Sequence, residues 1–212
     1  MKIKITLFIL FTILSLFGIG KIFWEQEYKF AQPTPIPETL NKVSKGDTIT
    51  LPIVNNSKSN LYLHFYNYEC PCSRFNIKEF QSLVKKHSNK VDFVAVLQAS
   101  ESNRTAVSEF VKKYDLGIPV IHDTNGEIAE ALGVYSTPQA VIIKNHSVYY
   151  KGNYNKARFC LSKNTKFAEQ ALQALVNGKK LPEFPAVAEI AYGCELPSNN
   201  KKENTFLNLF NL

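Results

Sequence analysis

Residues 65–75 read FYNYECPCSRF: an apolar strand runs into two cysteines separated by one proline, and a helical pattern follows. The residues before it, 61–65 (LYLHF), have the character of a core strand. Those after it, 74–87, place Ile77, Phe80 and Val84 at helical spacing. A thiol reacts as its thiolate, and the unpaired amides and dipole at a helix N-terminus stabilise that anion. Cys70 stands where those groups point, so its acidity should exceed that of an ordinary cysteine. Pro71 stiffens the link to Cys72. A disulfide between such close neighbours would be strained, and strained bonds exchange readily.

Beyond this motif, residues 91–97 (VDFVAVL) form a short, nearly unbroken apolar run, as expected of a strand covered on both faces. A second helix carries Val107, Phe110, Val111 and Tyr114 on one face. After Gly117 come a short strand at 118–121, a turn at 123–126 and a short helix ending near Leu132 and Gly133. Residues 139–143 and 148–151 read as an antiparallel hairpin about a polar turn. The final helix, 165–177, turns Phe167, Ala171, Leu175 and Val176 inward, and Gly178 suits its C-terminal cap. Strands alternating with helices and closing on a hairpin imply an α/β fold: a central mixed sheet flanked by helices.

The 212 residues divide into residues 1–24 as a signal-anchor or signal peptide, 25–47 as a linker with Pro33, Pro35 and Pro37, 48–178 as one domain, and 179–212 as a tail carrying Cys194. Residues 5–20 lack any charge and lie between Lys2, Lys4 and Lys21; at about 1.5 Å per residue they cover about 24 Å, a little short of a bilayer core. Anchored or cleaved, this segment puts the remainder outside the cytoplasm, on the periplasmic side of the inner membrane in a bacterium. The net charge of +7 is spread over short lysine pairs, which argues against a nucleic-acid partner. A hydrophobic content of 45% excludes a disordered chain.

The order of elements, FYNYECPCSRF, the segment HDTNGEIAEALGVYSTP (122–138) and the hairpin beyond it resemble the thioredoxin superfamily over residues 48–178. The nearest branch is the membrane-anchored extracytoplasmic thiol-disulfide oxidoreductases, with the related peroxiredoxin-like proteins. The resemblance implies a thioredoxin-like fold and makes Cys70 the attacking cysteine. The family's second cysteine falls on Ser73, while Cys72 comes one residue early. Pro138 matches the proline that the family holds in the cis form, with Thr137 before it. The expected catalytic set is Cys70, Cys72, Thr137, Pro138 and Cys160, the last returned to the site by the hairpin with Arg158 nearby. The expected partners are protein thiol and disulfide substrates and a redox partner; neither a cofactor nor a metal is expected in this reading.

Four cysteines outside the cytoplasm admit three pairings. Cys70–Cys72 with Cys160–Cys194 ranks first; its rival is a relay in which Cys160 or Cys194 resolves a mixed disulfide on Cys70 or Cys72. Three other functions stay open. Cu(I) handling would use the Cys70 and Cys72 thiolates with His64, His122 or His146. Thiol peroxidase activity is weakened by Asn67, where peroxiredoxins carry threonine. A binding module would use the cysteines only as staples.

Overall fold

The structure is a computed structural model and describes residues 2–51, 58–100, 102–156 and 165–199. Helix α1 (Lys2–Phe23) passes through a wider turn, Trp24–Tyr28, into the short α2 (Lys29–Ala31). Its apolar side chains point outward on every side, and Ile3–Gln26 is long and apolar enough to cross a membrane. In the body, β1 (Asn60–Asn67) is followed by α3 (Pro71–His87), β2 (Asp92–Gln98), α4 (Ala106–Tyr114) and β3 (Val120–His122). Then come α5 (Glu127–Ala131), β4 (Ser136–Thr137), β5 (Gln139–Lys144), β6 (Ser147–Asn153), α6 (Phe167–Val176) and β7 (Cys194–Glu195).

The main sheet runs β3-β2-β1-β5-β6. Strands β1, β2 and β3 are parallel through crossover helices, while β5 and β6 are antiparallel to their neighbours. This is the thioredoxin-like mixed sheet. The period of two in β1 divides the core. Tyr62 and Tyr66 join Phe80 of α3, Phe110 of α4 and Leu172 of α6 on one face; Leu61, Leu63 and Phe65 join Ile128 and Leu132 on the other. The β5–β6 turn holds Asn145 and His146 at φ 48° and 64°, the paired left-handed conformation that matches the twist of a tight hairpin.

Two local expectations change. Helix α3 starts at Pro71 instead of near Arg74, because a proline's fixed φ and missing N–H suit the first helical position. Val111 is exposed, whereas the rest of the expected stripe of α4 faces the core: Phe110 is buried in it, and Val107 and Tyr114 pack against it. Beyond α6 the chain stays on the body: Leu181, Ala188, Ala191 and Leu196 are all buried.

Candidate functional site

The end of β1 delivers Cys70 to the start of α3. Cys70 is the helix N-cap, with extended backbone (φ −75°, ψ 121°) and its N–H donated to the Asn67 carbonyl at 3.1 Å. Asn67 is the hub of this turn. Its N–H donates to Ser73 Oγ (3.3 Å), its Oδ1 accepts the Glu69 N–H (3.0 Å), and its Nδ2 donates to the Glu195 carbonyl (3.0 Å). At the position where peroxiredoxins place a threonine hydroxyl, this chain therefore has an amide fastening the tail. Glu69 turns away from the sulfur: its carboxylate accepts bonds from Ser100 N–H and Oγ.

The Thr137–Pro138 bond is cis, and Thr137 and Pro138 are buried beside Cys70, whose Sγ lies 3.8 Å from the Thr137 carbonyl oxygen. The sulfur of Cys70 is bonded to Cys194, not to Cys72; the two Cα atoms lie 5.9 Å apart across a sequence separation of 124. The pairing ranked first from sequence, Cys70–Cys72 with Cys160–Cys194, is thereby overturned. The reason is a second, two-stranded sheet: β7 pairs antiparallel with β4, Thr137 facing Cys194 and Ser136 facing Glu195, so the tail presents its sulfur across from the helix N-cap. Cys72, in the first turn of α3, is fully buried and outside the disulfide. The sulfurs of Cys70, Cys72 and Cys194 nevertheless all lie within 4.8 Å of one another. Cys160 and Arg158 lie outside the described residues; β6, which leads towards them, ends with Asn153 opposite Gln139 at the Pro138 end of the sheet.

The tail is fastened on both sides of Cys194. Ser136 Oγ donates to the Cys194 carbonyl at 3.2 Å and pairs with Thr34 Oγ1 at 2.7 Å. The Thr34 N–H donates to the Ala191 carbonyl, so the proline-containing segment lies along the tail. Farther on, the Ser198 N–H donates to Gln98 Oε1, and Gln98 Nε2 donates to Asp123 Oδ2. Gly193 has φ +129°, and a Cβ there would stand 2.2 Å from the Thr137 carbonyl oxygen; only glycine admits so close an approach. Sequence reasoning flagged Cys194 but missed Gly193, Ser136 and the fastening role of Asn67. The pair Gly193-Cys194 was the available signal, since glycine often marks a place where two backbones meet.

The histidines considered as metal donors stand elsewhere. His64 is buried in the core, its Nδ1 2.6 Å from Tyr154 Oη and its ring stacked on Phe80 at 4.2 Å; burial pushes its pKa down to about 3. His122 and His146 are exposed. Among the described residues, the donors grouped closely enough to hold a metal ion at this site are the three cysteines.

The chain is 29% identical over 129 residues to sporulation thiol-disulfide oxidoreductase A of Bacillus subtilis, a match covering 60% of this chain and 73% of that protein. It is 34% identical over 84 residues to the thiol-disulfide oxidoreductase ResA of Bacillus thuringiensis, covering 39% of this chain; it spans 47%, about half, of that relative's length. A crystal structure of a hypothetical protein from Sinorhizobium meliloti superposes with a TM-score of 0.63 at 18% identity, covering 74% of this chain and 96% of the other, and so shares its fold. Residues 40–195, spanning the whole sheet and the Cys70–Cys194 bond, match the family described as a domain of unknown function (DUF6436), and the chain belongs to that family.

Proposed function

We propose that this protein is a thiol-disulfide oxidoreductase whose exchanging bond is Cys70–Cys194, acting on protein thiols outside the cytoplasm from a membrane anchor. The observation that carries this reading is one disulfide sulfur at the N-cap of α3 beside cis-Pro138, with a third sulfur within 4.8 Å of both partners. The likeness to two thiol-disulfide oxidoreductases supports it.

In the oxidising direction, a substrate thiolate attacks a sulfur of the Cys70–Cys194 bond. That bond breaks, and its electron pair leaves on the other sulfur, which becomes a thiolate and takes up a proton. A second substrate thiolate then attacks the mixed disulfide. Two substrate thiols have become a disulfide and two protein thiols remain; the reducing direction runs the same steps backwards. The helix N-terminus stabilises Cys70 as attacker and as leaving group. Cys72 stands near enough to attack the same bond from inside the protein, which gives the site a second route of resolution. Thr137 and Pro138 form the wall against which the sulfur lies. A catalytic part for Cys160 rests on the path of the chain beyond β6.

Helix α1 supplies the anchor in this reading. Its 22 residues at about 1.5 Å each give about 33 Å, enough for a hydrocarbon core of about 30 Å. Lys2 and Lys4 before the apolar run favour an N-terminus on the cytoplasmic side and the body on the other.

A Cys194→Ser variant of the full chain tests the exchange. Without the tail sulfur, and with Cys72→Ser in the same chain to close the internal route of resolution, Cys70 holds substrates as mixed disulfides that non-reducing electrophoresis resolves, and a further Cys70→Ser change removes them. The proposal fails if no thiol-dependent adduct forms on Cys70 under oxidising or reducing conditions. A membrane-impermeant maleimide applied to intact cells tests the location: labelling of the reduced cysteines supports the outer side, and labelling only after lysis overturns it.

A further inference from the structure

We propose that, once the Cys70–Cys194 bond is reduced, Cys70, Cys72 and Cys194 together bind one thiophilic monovalent d10 ion, Cu(I). The three sulfurs already lie within 4.8 Å of one another. With metal–thiolate bonds of about 2.3 Å, three sulfurs in a trigonal arrangement stand about 4.0 Å apart; the two distances to the Cys72 sulfur need to close by less than about 1 Å, while the Cys70 and Cys194 sulfurs, released by reduction from their mutual bond, move apart to that spacing. The trio is brought together by two separate elements: α3, which carries Cys70 at its N-cap and Cys72 in its first turn, and β7, which carries Cys194.

The donor set selects the ion. Three soft sulfurs, with no carboxylate or imidazole in the group among the described residues, suit Cu(I) over the oxygen-seeking cations. Zinc completes a tetrahedron with a fourth protein donor or water. Here Cys70 is 2% exposed and Cys72 0%, which leaves little room for water on their side. Cys194 is partly exposed and provides the side of entry. The excess negative charge of three thiolates faces the N-terminus of a 17-residue helix, whose amides and dipole offset it.

The site is gated by oxidation state. In the oxidised protein two of the three donors are held in the disulfide. An external dithiol opens it: the dithiol becomes a disulfide, Cys70 and Cys194 gain two electrons and two protons, and the ion then displaces the thiol protons without changing its own oxidation state. The same three atoms would thus exchange disulfides in one state and hold a soft metal in the other.

The test uses the full chain, reduced, freed of reductant under anaerobic conditions and titrated with Cu(I) against a chromophoric Cu(I) chelator. The expected result is one Cu(I) per reduced chain, none in the oxidised chain, and a sulfur-only coordination shell of three in X-ray absorption. Cys72→Ser and, separately, Cys194→Ser each weaken binding by more than about tenfold and lower the sulfur count to two. Formation of the Cys70–Cys194 bond on reoxidation of Cys72→Ser shows that this variant folds. No binding by the reduced wild-type chain, a histidine in the coordination shell, or equal affinity in either serine variant overturns the proposal. The titration contains no disulfide substrate, so loss of the metal and loss of exchange activity are read independently.

Discussion

Reducing the Cys70–Cys194 bond reopens a loop spanning a sequence separation of 124, and loop-closure entropy sets the effect on stability. For a loop of that length the stabilisation is about 5 kcal/mol, whereas bridging Cys70 to Cys72 would contribute less than about 2 kcal/mol. With a urea dependence of about 2 kcal/mol per molar, the midpoint of the wild-type protein should fall by roughly 2.5 M on reduction. Urea unfolding followed by circular dichroism, with and without a phosphine reductant, measures this directly. Cys72→Ser keeps the full drop. Cys194→Ser unfolds near the reduced wild-type midpoint under both conditions. The reasoning is refuted if Cys194→Ser still loses stability on reduction while Cys72→Ser is insensitive, for the stabilising bond would then lie elsewhere.

Three further outcomes follow from the same contacts. Gly193→Ala forces a Cβ towards the Thr137 carbonyl at a φ that side chains rarely adopt, and should destabilise by about 1–3 kcal/mol; faster proteolysis within 191–195 is the local sign, and an unchanged rate contradicts the close approach. His64, held near pKa 3 by burial against 6.5 when unfolded, contributes stability that is complete above pH 6.5 and is lost as pH falls towards 3, at up to about 1.4 kcal/mol per unit. His64→Gln should flatten the pH dependence of unfolding free energy in that window; a parallel profile would remove the argument. Asp123→Ala strips acceptors from the N–H groups of Ile128 and Ala129 and from Gln98 Nε2, for a loss of about 2–3 kcal/mol in urea unfolding. A loss below about 0.5 kcal/mol would show that water replaces the carboxylate.

The parts of the fold governed by local rules could be read from the chain. The apolar run at 91–97, the helical spacing of Ile77, Phe80 and Val84, and the polar turn between the hairpin strands each report their own element. Cys70 at a helix start could be read because its role depends on the next few residues, and cis-Pro138 because a resemblance carried it. The Cys70–Cys194 bond could not. It depends on two residues of β4 pairing with two of β7, and such short strands have no periodicity to detect. A proximity rule favoured Cys72, but the chain direction at the start of α3 buries that side chain while Cys70 faces the tail. His64 shows the same limit: as one polar residue in a strand it suggested a donor, and only the packing of Phe80 and Tyr154 around it reveals a core position.

The bond between the Thr34 amide and Ala191 has a mechanical consequence. From Gln26, where the apolar helix ends, to Thr34 the chain can reach no more than about 30 Å at full extension. Thr34 in turn touches Ser136, next to the wall of the sulfur site. With α1 in a bilayer, the leash is therefore tied off at the reactive end of the body instead of at its far side. In the anchored state proposed above, such a tether would confine the sulfurs to a thin layer above the lipid and so favour membrane-proximal cysteines over those of freely diffusing proteins.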